Sequence, residues 1–212
     1  MVNLSKGNTK LNKPNGGVYN IIGFGLPADH DFKGGNTCPG ASACRAICFA
    51  KQGTYRFKGV KRTRLANLEA SQTEGFVADV LAGLARRRKV NAVRVHDSGD
   101  FYDQAYLDKW YEIARNRPDM VFYAYTKSLH LDLWTHKPDN FRLVQSLGGR
   151  RDGLVDLTKP HSRIFSSHEA REAAGYEDGN ANELPALEGV VKIGLVYHGG
   201  RNLTPAQERY WG

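Results

Sequence analysis

The residues of this chain with the clearest chemical potential are its three cysteines. Cys38, Cys44 and Cys48 lie within eleven positions, and the other residues of the 212-residue sequence include none. Thiols that only fill space scatter along a chain, whereas three in one stretch point to a shared partner. An odd number cannot close into intramolecular disulfides without leaving one thiol over. Cys44 and Cys48 are four positions apart, so at the start of a helix both would project from one face, and Cys38 would reach them from the Pro39–Gly40 loop. The pattern reads as a three-thiolate metal site. Thiolates suit a [4Fe–4S] cluster, in which three cysteines leave one iron open to another ligand or a substrate. Zinc is the alternative, and with no second cysteine pair it would need a distant histidine such as His30 or His96. Reduced cysteines without metal, or a nucleophilic cysteine paired with a histidine, complete the set.

Composition narrows the background. An apolar content of 41% with 25% charged residues is that of a folded globular chain rather than a disordered one. No run of about 18 apolar residues is present, which argues against a membrane span. The opening Met-Val-Asn-Leu-Ser-Lys lacks the apolar core of a secretory signal, so free thiols and a cytoplasmic setting are expected together. The net charge of +8 favours a polyanionic partner. Arg56, Lys58, Lys61, Arg62 and Arg64, interleaved with Tyr55 and Phe57, form a candidate nucleic-acid surface; a solvated helix start is the plainer reading. Arg86–Lys89 reads as the cationic close of a helix, complementing its dipole.

The elements that must position these residues read as one α/β domain over 18–212, preceded by a loosely held arm at 1–17. Apolar runs predict strands at 18–26, 92–96, 121–125, 141–147, 163–166 and 190–197. Helices are expected over 54–90, 103–116 and 129–134, another opened by Ser166-x-x-Glu169 and ended by Gly175, and a short one at Thr204. The stretch 176–188 reads as loop. Six strands separated mostly by helices imply a partial (β/α)6 barrel of mostly parallel strands with helices outside. In such sheets ligands gather at the carboxyl ends of the strands. That rim would collect the cysteines, then His96, Asp97, Ser98, Gly99 and Asp100, then Thr126, Lys127 and Ser128, then Ser166, Ser167 and His168, and finally His198. Asp100 and Lys127 are the candidate catalytic residues, Lys127 as a holder of carboxylate or phosphate. His96, Ser98 and Gly99 are candidates for cofactor binding. The plainer alternatives are a backbone-bonded His96 and an Asp100 that caps the helix beginning near Asp103. Tyr123 and Tyr125 read as core, with base stacking as the alternative.

Three segments carry a resemblance. Asn36-Thr-Cys-Pro-Gly-Ala with Cys44, Cys48-Phe-Ala and Gly53-Thr-Tyr-Arg-Phe57, Arg94-Val-His-Asp-Ser-Gly-Asp-Phe101, and Phe122-Tyr-Ala-Tyr-Thr-Lys-Ser128 resemble the gene product 88-like family of bacteriophage and plasmid proteins. That resemblance implies a phage or mobile-element origin and brings no activity with it. More distantly, the layout is similar to radical S-adenosylmethionine enzymes, which have a partial barrel, three cluster cysteines after the first strand and a Gly-rich acidic motif after the second. Ser98-Gly99-Asp100 stands where that second motif would be. The cysteine spacing here is five then three residues, where that family has three then two, and Phe49 follows the last cysteine rather than preceding it. This likeness implies S-adenosylmethionine as a cofactor and a reductant protein as a partner. A metal-stapled nucleic-acid-binding protein and an iron–sulfur electron carrier or sensor are the other readings.

Overall fold

The computed structural model describes residues 2–6, 10–11, 17–30, 32, 35–46 and 48–197. Its frame is a seven-stranded, all-parallel sheet curled into a half-barrel, with strand order β1-β2-β3-β4-β5-β7-β6. The strands are β1 (Ile21–Phe24), β2 (Ala92–Val95), β3 (Val121–Thr126), β4 (Phe141–Ser146), β5 (His161–Phe165), β6 (Glu177–Asp178) and β7 (Lys192–Val196). Helices α1 (Lys58–Ser71) and α2 (Phe76–Ala85) join β1 to β2, and α3 (Gln104–Arg115) joins β2 to β3. Two short helices, α4 (His168–Ala173) and α5 (Leu184–Glu188), follow β5 and β6.

Alternation along the strands divides the core between the two faces of the sheet. Ile22, Phe24, Val93, Val95, Phe122, Ala124, Phe141 and Leu143 pack with the apolar sides of α1, α2 and α3. Ile21, Ala92, Tyr123, Val144 and Ile193 face the other way, onto Ala186 and Leu187 of α5. Helix α3 has the clearest local cause: Asp103 caps it by accepting from Tyr106 N at 2.8 Å. Its buried stripe, which includes Tyr106, Leu107, Trp110, Ile113 and Ala114, follows the helical period. Trp110 meets Phe24 at 5.1 Å and Phe76 at 5.6 Å between ring centroids, edge to face. This aromatic contact joins β1, α2 and α3.

Several expectations are corrected. The sheet has a seventh strand, β6, and α5 forms where 176–188 read as loop. The helical stretch 54–90 is interrupted, because Ser71 Oγ and Thr73 Oγ1 donate back to Leu68 O and Ala70 O and close α1. No helix forms over 129–134. Asp132 Oδ1 accepts instead from Trp134 N and Thr135 N, a turn that competes with helix formation. Ser167 rather than Ser166 caps α4, accepting from Ala170 N. Where the 1–17 arm is described it is anchored: Ser5 pairs antiparallel with Gly23 of β1, and Leu4 and Leu11 are buried. The helix expected at Thr204 and the rim residue His198 lie outside the described residues. Among the described residues, no helix is long and apolar enough to cross a membrane.

Trp110→Ala is expected to lower the unfolding free energy by about 3–5 kcal/mol, whereas Leu157→Ala, at an exposed site, should change it by less than about 0.5 kcal/mol. Urea unfolding followed by circular dichroism measures both; equal effects would contradict the packing described.

Candidate functional site

The cysteine loop leaves β1 through Leu26, Pro27 and Asp29 and passes over the carboxyl rim of the sheet. Thr37 fixes its entry, with Oγ1 donating to Pro27 O and the amide donating to Asp29 O at 3.2 Å. Thr37 O then accepts from Asp100 N at 2.9 Å, which binds the loop to the end of β2. Cys38 follows: Asn36 Oδ1 accepts from its amide, and its sulfur accepts from Asp29 N at 3.3 Å. The next turn crosses to the ends of β3 and β4. A Cβ at Gly40 would fall on the carbonyl of Lys127, so only glycine fits there. Arg150 N donates to Gly40 O at 2.9 Å and Arg150 Nε donates to Ala41 O at 3.0 Å.

Cys44 then lies in one short 3-10 turn, Ala43–Arg45, and Cys48 immediately precedes another, Phe49–Lys51, rather than both opening one α-helix. The shared helical face expected for them is therefore absent. Asp29 ties these turns back to the loop's root, pairing with Arg45 at 2.9 Å and Lys51 at 3.3 Å. Arg45 and Lys51 are the partners that sequence spacing did not reveal, because they fold back on Asp29 from 16 and 22 positions away. Cys38 lies within electrostatic range of Cys48, and Cys48 of Cys44. Burial and the neighbouring Asp100 carboxylate push the Cys38 thiol up to about 12, and burial also raises Cys48. Ionising these thiols therefore calls for a compensating cation. Among the described residues, no three His, Cys, Asp or Glu side chains are gathered closely enough to hold a metal ion.

Lys127 lies within electrostatic range of the cysteines while its ammonium is bound at the end of β4. Its Nζ donates to Ser146 Oγ at 2.7 Å and to the carbonyls of Ser146 and Leu147, and its charge interacts with Cys44, Asp100, Asp152 and Cys38. Burial lowers its pKa against those anions. Asp100 is enclosed, with Oδ1 accepting from Phe101 N and Thr126 Oγ1 and Oδ2 accepting from Lys127 N. It acts as a bracket between strand ends; the helix cap is Asp103.

The other residues after β2 divide. Gly99 has φ +82°, and a Cβ there would come within 2.6 Å of Leu26 Cβ. Ser98 Oγ donates to Leu26 O and accepts from Arg64 Nη1 at 2.7 Å. Arg64 also pairs with Asp97 at 2.7 Å and lies 4.2 Å over the Tyr55 ring, so it serves the rim rather than an open basic surface. Asp97 Oδ1 has no partner among the described residues and occupies the space above Gly25.

His96 is directed elsewhere. Its φ of +68° turns the ring into the helix-facing core, where it stacks edge to face with Phe101 at 4.7 Å and shares a 2.8 Å hydrogen bond with Tyr106 Oη. It lies against this aromatic group and not against the cysteines. Tyr123 packs in the core beneath α5, and Tyr125 lies 5.6 Å from the buried Arg94 guanidinium, which pairs with Glu183. Of the residues after β5, Ser167 caps α4, and His168 opens that helix.

Burial holds His96 neutral, its pKa pushed down to about 3. A base whose folded pKa is depressed contributes stability at pH above its unfolded value, near 6.5, and loses it as pH falls toward 3. Stability should fall by roughly 1.4 kcal/mol per pH unit below about 6 from this group. Urea unfolding across that range should show a shallower pH slope for His96→Gln; an unchanged slope would contradict a neutral core histidine.

The family model described as Gene product 88 matches residues 2–201 of the chain. Two relatives are both named Gene 88 protein. The one from Mycobacterium phage L5 is 31% identical over 143 residues, covering 61% of this chain and 57% of its own length. The one from Mycobacterium phage D29 is 27% identical over 168 residues, covering 67% of this chain and 68% of its own. No solved structure matches.

Proposed function

The chain belongs to the gene product 88 family, and on that footing we propose that it is an iron–sulfur protein whose cluster is held by Cys38, Cys44 and Cys48. The observation that carries this reading is placement. All three thiols sit on one loop pinned across the ends of β2, β3 and β4, with the Lys127 charge within electrostatic range of Cys44 and Cys38. Donor chemistry supports it as well, since thiolates are the ligands of iron–sulfur iron. Three of them would leave one iron of a [4Fe–4S] cluster to another ligand. The side chains do not stand converged on a point, so the reading rests on donor type and loop placement.

This chain's own residues would hold and tune such a group. Asp29, Arg45 and Lys51 brace the turns that carry Cys44 and Cys48. The Lys127 ammonium, kept at the rim by Ser146 and Leu147, would offset the negative charge of the thiolates. Asp97 Oδ1 is the unpartnered acceptor at the end of β2, where a ligand such as S-adenosylmethionine would meet the sheet. When bound, a cluster of this kind supplies one-electron transfer.

Anaerobic purification followed by iron and sulfide analysis tests the proposal. The expected result is a brown protein with both elements present and absorbance near about 400 nm. Each of Cys38→Ser, Cys44→Ser and Cys48→Ser should remove the colour and lower stability, because metal binding is coupled to folding. Stoichiometric zinc, or no metal at all, would overturn the reading. In the reduced protein, an electron paramagnetic resonance spectrum altered by S-adenosylmethionine would mark an open iron, and an unaltered one would rule out S-adenosylmethionine as its ligand.

A further inference from the structure

The residues just after Cys48 form a surface that the fold itself does not use. Phe49 is 56% exposed and Phe57 63% exposed, in a protein that buries most of its phenylalanines completely. Phe49 rests edge to face on Tyr55, with ring centroids 5.7 Å apart. Tyr55 is in turn held to the rim, with Arg64 over its ring and its hydroxyl donating to Asp97 Oδ2 at 3.4 Å. Phe49 is thus braced from beneath, and Phe57, two residues beyond Tyr55, faces solvent at the start of α1.

Around it stand Arg56, Lys58, Lys61 and Arg62, all exposed. Arg56, Lys58 and Arg62 make no ion pair among the described residues. Helix α1 opens here with no acidic residue in its first turn and no side-chain cap, so its own first turn supplies no anion to this concentration of positive charge. Exposed aromatic rings and cations on one braced surface match a single-stranded nucleic acid, whose bases present stacking faces and whose phosphates follow a flexible backbone. A duplex hides those faces inside its stack, and an acidic peptide would leave the rings unmatched.

We propose that Phe49, Phe57, Arg56, Lys58, Lys61 and Arg62 form a docking shelf for single-stranded nucleic acid, with bases stacked on the two phenylalanines and phosphates on the cations. This surface borders the cysteine loop but does not depend on a cluster being present. A second basic region, a cleft of about 550 Å³ lined by Lys6, Arg86, Arg87, Arg88 and Lys89, provides the internal control. There Arg87 is already engaged by Gly83 O and Leu4 O, and no aromatic residue lines the cleft.

Fluorescence anisotropy with a labelled oligothymidylate tests the proposal on the full chain. Phe49→Ala and Phe57→Ala should each weaken binding by roughly tenfold; both sites are exposed, and circular dichroism would verify that the variants fold. Arg56→Ala with Lys58→Ala should flatten the slope of log affinity against log salt by about 1.4, at about 0.7 per phosphate contact. Arg86→Ala with Arg88→Ala should leave affinity within about twofold, as expected for residues outside the contact. The proposal is overturned if the oligonucleotide does not bind at low salt, if the phenylalanine variants bind normally, or if binding is lost only in the Arg86/Arg88 variant. It is likewise overturned if duplex DNA or polyglutamate competes as well as the single strand. Protein isolated anaerobically without iron that still binds the oligonucleotide leaves the shelf standing and refutes the cluster. Iron-loaded protein that does not bind refutes the shelf and leaves the cluster standing.

Discussion

The carboxylate of Asp100 is the point on which the rim depends. A buried carboxylate is costly unless its oxygens are satisfied. This one accepts from Phe101 N, Thr126 Oγ1 and Lys127 N, while its own amide donates to Thr37 O. Four bonds from one residue thereby fix the end of β2, the end of β3 and the entry to the cysteine loop relative to one another. Burial still raises its pKa, and the donors from Thr126 and Lys127 oppose that shift. Gly99 makes the approach possible, since its left-handed backbone lies against Leu26 where a side chain would not fit. Fixing Lys127 N also fixes the carbonyl on which Gly40 rests, so the loop's crossing to β4 follows from the same bracket.

That bracket separates two environments. On the helix side lies the aromatic group of Phe24, Phe76, Phe101, Tyr106 and Trp110, which receives His96 as a neutral member. Above the strand ends lie the three thiols, Lys127, and the Arg64–Asp97–Tyr55 brace. The first environment holds the fold together; the second places soft donors, positive charge and an unpartnered carboxylate oxygen together at the edge of the half-barrel. The exposed Phe49 and Phe57 continue outward from it on the same stretch of chain.

Much of this was legible in the sequence, for physical reasons. The strands were legible because β1 to β4 are short apolar runs closed by polar residues, and α3 because its cap and buried stripe agree. The convergence of the cysteine loop, Asp100 and Lys127 followed from parallel topology alone. The errors came from interactions that spacing does not encode. Strand alternation would put His96 on the same face as Arg94, but a positive φ turns its ring to the other side. Asp132 closes a turn where a short helix was expected over 129–134. Strand β6 has no apolar pattern and exists because β7 offers an edge, with Gly179 N donating to Gly194 O at 2.8 Å. Arg64, grouped by sequence with the exposed cations, is tied to Asp97 by a contact across 33 positions.

The proposed sulfur-ligated iron at the three cysteines is distinguishable from zinc and from no metal by the spectrum of the iron itself. Mössbauer spectroscopy of protein produced with 57Fe and isolated without oxygen reads the coordination of the iron directly. A cluster held by the three cysteines gives quadrupole doublets of iron in tetrahedral sulfur coordination, lost in Cys38→Ser. Iron found only in oxygen and nitrogen coordination, or a protein without iron signal that carries stoichiometric zinc, would contradict it.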